Sequence, residues 1–162
     1  MAWTTPKTWV ADAVLTAAEL NTHLRDNLDA MHTWTSYTPT WTATGGTPTL
    51  GNGSLIGTYV SYGGLCFFKI RLIWGSTTTS STYTNWTFTM PVGLSGSAGN
   101  LFNATYQDTS AATIIPTVSI PNTTTTCQVR SAAGGSVGYN VPFTWANTDI
   151  LTIHGFYQTA GS

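Results

Sequence analysis

Charge is the scarcest commodity in this 162-residue chain, where Asp, Glu, Lys and Arg make up 7% of the residues, against roughly 25% in an ordinary soluble domain. Five bases against six acids form no basic stripe that could neutralise phosphates, so nucleic-acid binding has no electrostatic basis. Beyond the first 33 residues the carboxylates are Asp108 and Asp149 alone, and the acid pair that flanks a scissile glycosidic bond is missing. Both sit in turn-like runs, Gln107-Asp108-Thr109-Ser110 and Ala146-Asn147-Thr148-Asp149, where a short acidic side chain bonds the nearby backbone.

Histidine is almost as rare. His154 is the lone imidazole of the C-terminal region, and a single ring makes neither a triad nor a metal site. His23 and His32 are nine residues apart, the wrong spacing for two ligands on one helix face. Neither a phosphate-cradling Gly-rich loop nor a Gly-x-Ser-x-Gly elbow occurs. We expect no catalytic residue, no metal site, no cofactor and no enzymatic activity.

Cysteine is limited to Cys66 and Cys127, both on the predicted inward face of strands, which favours two reduced, buried thiols over a disulfide. No apolar run approaches membrane-spanning length, and the N-terminus has no basic stretch leading into an apolar one. The expectation is assembly in a cytoplasm without membrane insertion.

Thr makes up about a fifth of the residues, well above ordinary usage, and it suits the surface of strands. A surface so poor in charge repels its neighbours weakly, which fits a subunit held in a large assembly.

The chain divides into an N-terminal segment, 1–33, and a β-domain, 34–162. Two bases and four acids leave the first at −2, and the second carries +1. Within the first, Thr16-Ala-Ala-Glu19 is a capping box. It predicts a helix that starts at Ala17 and ends near His32. Leu20, Leu24, Asn27 and Met31 repeat at helical spacing with Leu28 beside them, forming one seam.

At about four turns such a helix is marginal alone and needs a partner. The seam could pack on its own β-domain. In the sharper reading copies of the helix meet around an axis, with Asn27 as a polar residue that helps fix register, and a homotrimer is the expected count. Ahead of the helix, Trp3, Pro6, Trp9, Val10, Val14 and Leu15 make an extended apolar arm suited to a groove on a partner. Trp3 and Trp9 would be its anchors; the alternative is that both tryptophans fold back onto their own subunit.

From Trp34 the period changes to two, with Gly, Asn and Pro as punctuation. About eight strands follow, near Tyr37 to Thr42, Ser54 to Tyr62, Leu65 to Trp74, Trp86 to Met90, Asn100 to Gln107, Ala112 to Ile120, Thr126 to Ser131 and Ile150 to Gln158. Gly63-Gly64 marks a hairpin between the second and third of these, and Asn52-Gly53 a tight turn ahead of it. Cys66, Phe68, Ile70, Leu72 and Trp74 face inward, with Lys69 and Arg71 outward.

The pattern predicts a mainly β fold, an antiparallel jelly-roll-like β-sandwich preceded by an extended arm and one short N-terminal α-helix. The connection from Gly75 to Asn85, almost wholly Ser, Thr and Tyr, is expected to be an exposed tip or a contact surface. Among aromatic residues able to stack on a sugar, Trp41, Trp86, Tyr106, Tyr139 and Trp145 read mainly as packing residues. Tyr83, in that loop, is the candidate ligand contact.

The motifs Trp3-Thr-Thr-Pro6, Thr8-Trp9-Val10-Ala11 and Leu15-Thr-Ala-Ala-Glu-Leu-Asn-Thr-His-Leu-Arg-Asp-Asn-Leu28 resemble a leader that recurs at the start of small virion proteins of tailed bacteriophages. More weakly, Tyr37-Thr-Pro-Thr-Trp41, Asn52-Gly-Ser-Leu-Ile-Gly-Thr-Tyr59 and Pro142-Phe-Thr-Trp145 look like β-domains of phage fibre and surface proteins. The resemblance implies a structural protein on the virion surface, often a trimer, joined to capsid or tail proteins through its N-terminal arm. With no shaft between arm and domain, a capsid decoration or short head spike is expected. The alternative is a minor tail or fibre protein that binds a host surface glycan.

Overall fold

A computed structural model describes residues 4–131 and 133–160. A short helix comes first. The capping box forms at its start, where Thr16 accepts from the Glu19 amide and the Glu19 carboxylate accepts from the Thr16 amide. Three pieces then run without a break: α1 (Ala17–Leu20), a π-helical segment (Asn21–Arg25) and α2 (Asp26–Ala30).

Nine strands follow among the described residues: β1 (Thr35–Tyr37), β2 (Trp41–Thr44), β3 (Ser54–Tyr62), β4 (Leu65–Ile73), β5 (Thr84–Thr89), β6 (Phe102–Asp108), β7 (Thr113–Pro121), β8 (Thr126–Val129) and β9 (Ile150–Gln158). They form one antiparallel sheet in the order β1-β3-β4-β9-β6-β7-β8-β5-β2. Gly63 and Gly64 take φ of +55° and +81°, the paired positive angles of a tight hairpin turn that other residues resist. β3 and β4 accordingly pair from Ser54↔Ile73 to Tyr62↔Leu65 without a slip.

The stretch from Tyr37 to Thr42, expected as one strand, is two. Thr38-Pro39-Thr40 separates β1 from β2, and Pro39 has no N–H to give a ladder. β1 pairs with β3 at one edge of the sheet and β2 with β5 at the other. Four peptide units join Tyr37 to Trp41, so the two edges lie within about 14 Å and the sheet curls back on itself. Tyr37 Oη donates across the gap to the Thr89 carbonyl at 3.3 Å.

The inside of the curl is aromatic. Trp74 stacks on Trp86 at 5.7 Å and on Trp145 at 5.6 Å, and Trp41 meets Trp86 edge-on at 4.8 Å. Phe68, Phe102 and Tyr157 form a neighbouring group with the aliphatic side chains of β4 and β9. Cys66 and Cys127 are buried and unpaired. Burial pushes both thiols up, Cys127 to about 11, so they stay protonated and inert near neutrality.

Two acids finish the domain. Fully buried Asp149 accepts from the backbone amides of Thr109 and Ala146 and from the Thr109 hydroxyl. It thereby ties the entrance of β9 to two turns. Asp108 accepts from the Ser110 hydroxyl and the Ala111 amide, which hold its carboxyl below the usual range.

The connection from Gly75 to Asn85 is exposed at Ser76, Thr77, Thr79, Ser81 and Thr82 but is tied down between them. Thr49 and Thr79 exchange two backbone hydrogen bonds, Asn52 accepts from the amide and hydroxyl of Thr77, and Thr78 and Ser80 are buried. Thr hydroxyls that bond the neighbouring turn let a polar segment pack down.

Candidate functional site

The arm does not extend into solvent but folds back along the helix. Asn27 fastens it. This buried amide accepts from the Thr4 N–H at 2.9 Å and donates to the Thr4 carbonyl at 2.8 Å and to the His23 carbonyl at 3.1 Å. Further along, His23 Nδ1 lies 3.2 Å from the Thr5 carbonyl, and the Trp9 ring meets the His23 ring edge-on. Lys7 pairs with Glu19 and sits over the Trp9 ring at 5.4 Å. The Lys7 ammonium and the Thr16 amide and hydroxyl together hold the Glu19 carboxyl down at about 2.

Arm and helix therefore build an apolar groove of about 450 Å³, lined by Pro6, Trp9, Leu15, Leu20, Leu24, Leu28 and Met31 with Asn27 and His23 beneath. The helix period explains the shape. A π turn takes more residues than an α turn, so the segment from Asn21 to Arg25 keeps Leu20, Leu24 and Leu28, spaced by four, on one face. The groove is open: Leu24 and Leu28 are each 55% exposed and Trp9 is 46% exposed. The seam does not pack on the sheet. The helix meets β3 near its C-terminal end, where Ala30 is buried.

Each sequence-predicted partner residue has a definite place, except Trp3, which lies outside the described residues. Pro6, Trp9 and Leu15 line the groove, and Val10 stands outside it, 72% exposed. Of the predicted seam, Leu20, Leu24, Leu28 and Met31 line the groove as a row, whereas the polar atoms of Asn27 are spent on the arm of the same chain.

The ring of Tyr83 lies on Gly45 and Gly46, so close that a Cβ at Gly46 would collide with it, and the residue is half-buried. Trp41, Trp86, Tyr106 and Trp145 are in the core. Among the described residues no three His, Cys, Asp or Glu side chains come together as a metal set, and no helix is long and apolar enough to cross a membrane.

Sequence reasoning missed a second surface, the outward aromatic pair Phe67 and Phe156 with Trp34 beside it. Its signal was present. Phe156 falls on the same side of β9 as Thr152 and His154, opposite Leu151, Ile153 and Tyr157, so the alternation already put a large aromatic residue outside.

No family model matches the chain, and neither a curated protein nor a solved structure matches it.

Proposed function

We propose that the chain is a non-enzymatic structural component of a tailed-phage virion, attached through its arm and helix and projecting its β-domain from the particle surface. The observation that carries this reading is the open groove in which Trp9, Leu15, Leu20, Leu24, Leu28 and Met31 form one contiguous row of exposed apolar side chains. Contiguous exposed apolar surface on a soluble chain marks a contact site. The leader motifs that resemble phage virion proteins are the residues that build this groove.

Three copies associating through the seam would cover it, and the remainder of the arm would dock on a capsid or tail protein. Bound subunits then stabilise the assembled particle by mass action, because they bind it and not its dissociated parts. The curled sheet reads as a flattened jelly-roll-like sandwich, since Trp41 of β2 and Trp86 of β5 pack across the core on Trp74, which follows β4. Capsid decoration is preferred to a tail position because the leader runs into one β-domain with no shaft between.

The test is quantitative protein analysis of purified virions with heads and tails separated. Many copies on heads support decoration. A few copies on tails move the assignment to the minor tail or fibre protein and make host glycans the ligands to assay. Absence from both fractions contradicts the proposal.

A further inference from the structure

The outside of the sheet carries a surface that attachment through the leader does not use. Phe67 of β4 stands opposite Phe156 of β9, with their rings 5.7 Å apart, and the Tyr62 ring stacks on Phe67 at 6.3 Å. Phe156 is 63% exposed. The next outward row along the same strands sets Lys69 opposite His154, with Asn103 of β6 beyond it, and the row after that sets Arg71 opposite Thr152. A groove of about 570 Å³ joins the two rings to the Lys69 row, and a smaller one of about 210 Å³ lies between Lys69, Arg71, Ile56 and Thr58. Lys69 lines both.

The positive charge of this face is uncompensated. Lys69, Arg71 and Arg130 are the only Lys and Arg beyond residue 33, and the first two are exposed on one face of one strand, about 7 Å apart along it. Neither makes an ion pair among the described residues. The side-chain carboxylates of the β-domain, Asp108 and Asp149, are engaged in turns by the donors of Ser110, Ala111, Thr109 and Ala146. Like charges side by side on a sheet repel. An anion that bridges Lys69 and Arg71 relieves that repulsion and accepts charge-assisted hydrogen bonds from both.

The face therefore asks for a ligand with an anionic group for Lys69 and Arg71, an apolar side for Phe67 and Phe156, and hydroxyls for His154, Asn103 and Thr152. A carboxylated sugar carries all three: its C–H face lies on an aromatic ring, its carboxylate on the cations and its hydroxyls on the polar row. We infer that the Phe67–Phe156 rings and the Lys69–Arg71 pair form a binding site for an acidic saccharide. The rings and the Lys69 row are one outward step apart, about 7 Å, a span that a disaccharide covers. Rings supply the contact area, and the few polar groups fix orientation and sugar type. A nucleic-acid strand suits the face less well, because it brings a phosphate with every nucleotide and the two cations have no further Lys or Arg beside them on this face.

Calorimetric titration of the full-length chain with polygalacturonate, with hyaluronate and with neutral dextran tests this. At least one of the two acidic polymers is expected to bind, and dextran at least tenfold more weakly. Phe156→Ala and the double variant Lys69→Gln/Arg71→Gln, each with unchanged circular dichroism and oligomer mass, are each expected to weaken that binding at least tenfold. The inference is overturned if neither acidic polymer binds, if dextran binds as tightly, or if both variants bind like the wild type. Loss in the double variant with full binding by Phe156→Ala also overturns it, because charge alone then holds the polymer. Tighter binding of oligothymidylate than of either polymer assigns the face to nucleic acid, and the inference fails. Each of these failures leaves attachment through the leader standing, since that reading is decided by copy number on virions.

Discussion

The leader and the β-domain treat apolar residues in opposite ways. In the β-domain Trp41, Trp74, Trp86 and Trp145 pack on one another inside a curled sheet, and the outside mixes Thr, Asn and Ser with scattered exposed apolar residues such as Ile56, Ile114 and Phe156. In the leader Trp9, Leu15, Leu20, Leu24, Leu28 and Met31 line an open groove, while the polar side chain of Asn27 is buried and bonded to the arm. A core holds its own chain together. A groove kept open by a buried clamp is shaped for something else, and that difference carries the functional reading.

Substitutions that act on one region alone would sharpen the contrast. The largest effect is expected from Trp86→Ala, which opens a cavity among Trp41, Trp74 and Trp145 and is expected to cost about 4 kcal/mol. Denaturant unfolding followed by tryptophan fluorescence reads it, and Leu24→Ala in the leader should leave that transition where it is. A comparable shift from Leu24→Ala would mean that the seam belongs to the folding core.

Asp149→Ala is next, at about 3 kcal/mol, because three donors on Thr109 and Ala146 lose the buried carboxylate that accepts from them. Its unfolding midpoint should fall without a change in oligomer mass. Gly64→Ala, which forces a side chain onto φ of +81° in the β3–β4 hairpin, is expected to cost about 1 to 2 kcal/mol in the same assay.

Asn27→Ala acts only on the leader. It removes both bonds to Thr4 and should free the arm at a cost of about 1 kcal/mol. The expected outcome is faster tryptic cleavage after Lys7 and faster amide exchange at Thr4, with an unchanged β-domain transition.

The smallest effect is one of pH. The Glu19 carboxyl is held at about 2, below its ordinary 4.5. The support it gives the helix start is therefore complete above about pH 4.5 and lost as the pH falls towards 2. Leader helicity should decline across that window while the near-ultraviolet signal of the tryptophan core stays constant.

Local rules made much of this legible. The capping box at Thr16 and Glu19, the hairpin at Gly63-Gly64 and the inward run from Cys66 to Leu72 depend on neighbours in sequence, and each formed. What could not be read depended on distant partners. The split at Thr38-Pro39-Thr40 shows that the two sheet edges meet, which only the full strand order reveals. The burial of Thr78 follows from its contact with the 49–53 turn, and the use of Asn27 as a clamp required the arm to fold back. The groove residues were named from spacing and composition, but their openness came from the π turn and from the helix touching the sheet near its C-terminal end.

The most direct test of the account is the mass of the full-length chain in solution by sedimentation equilibrium, compared with that of Leu20→Asp/Leu24→Asp. The account predicts a trimeric wild type and a monomeric variant whose β-domain spectrum and unfolding midpoint are unchanged. A monomeric wild type, or a variant that keeps both its fold and the wild-type mass, would contradict it.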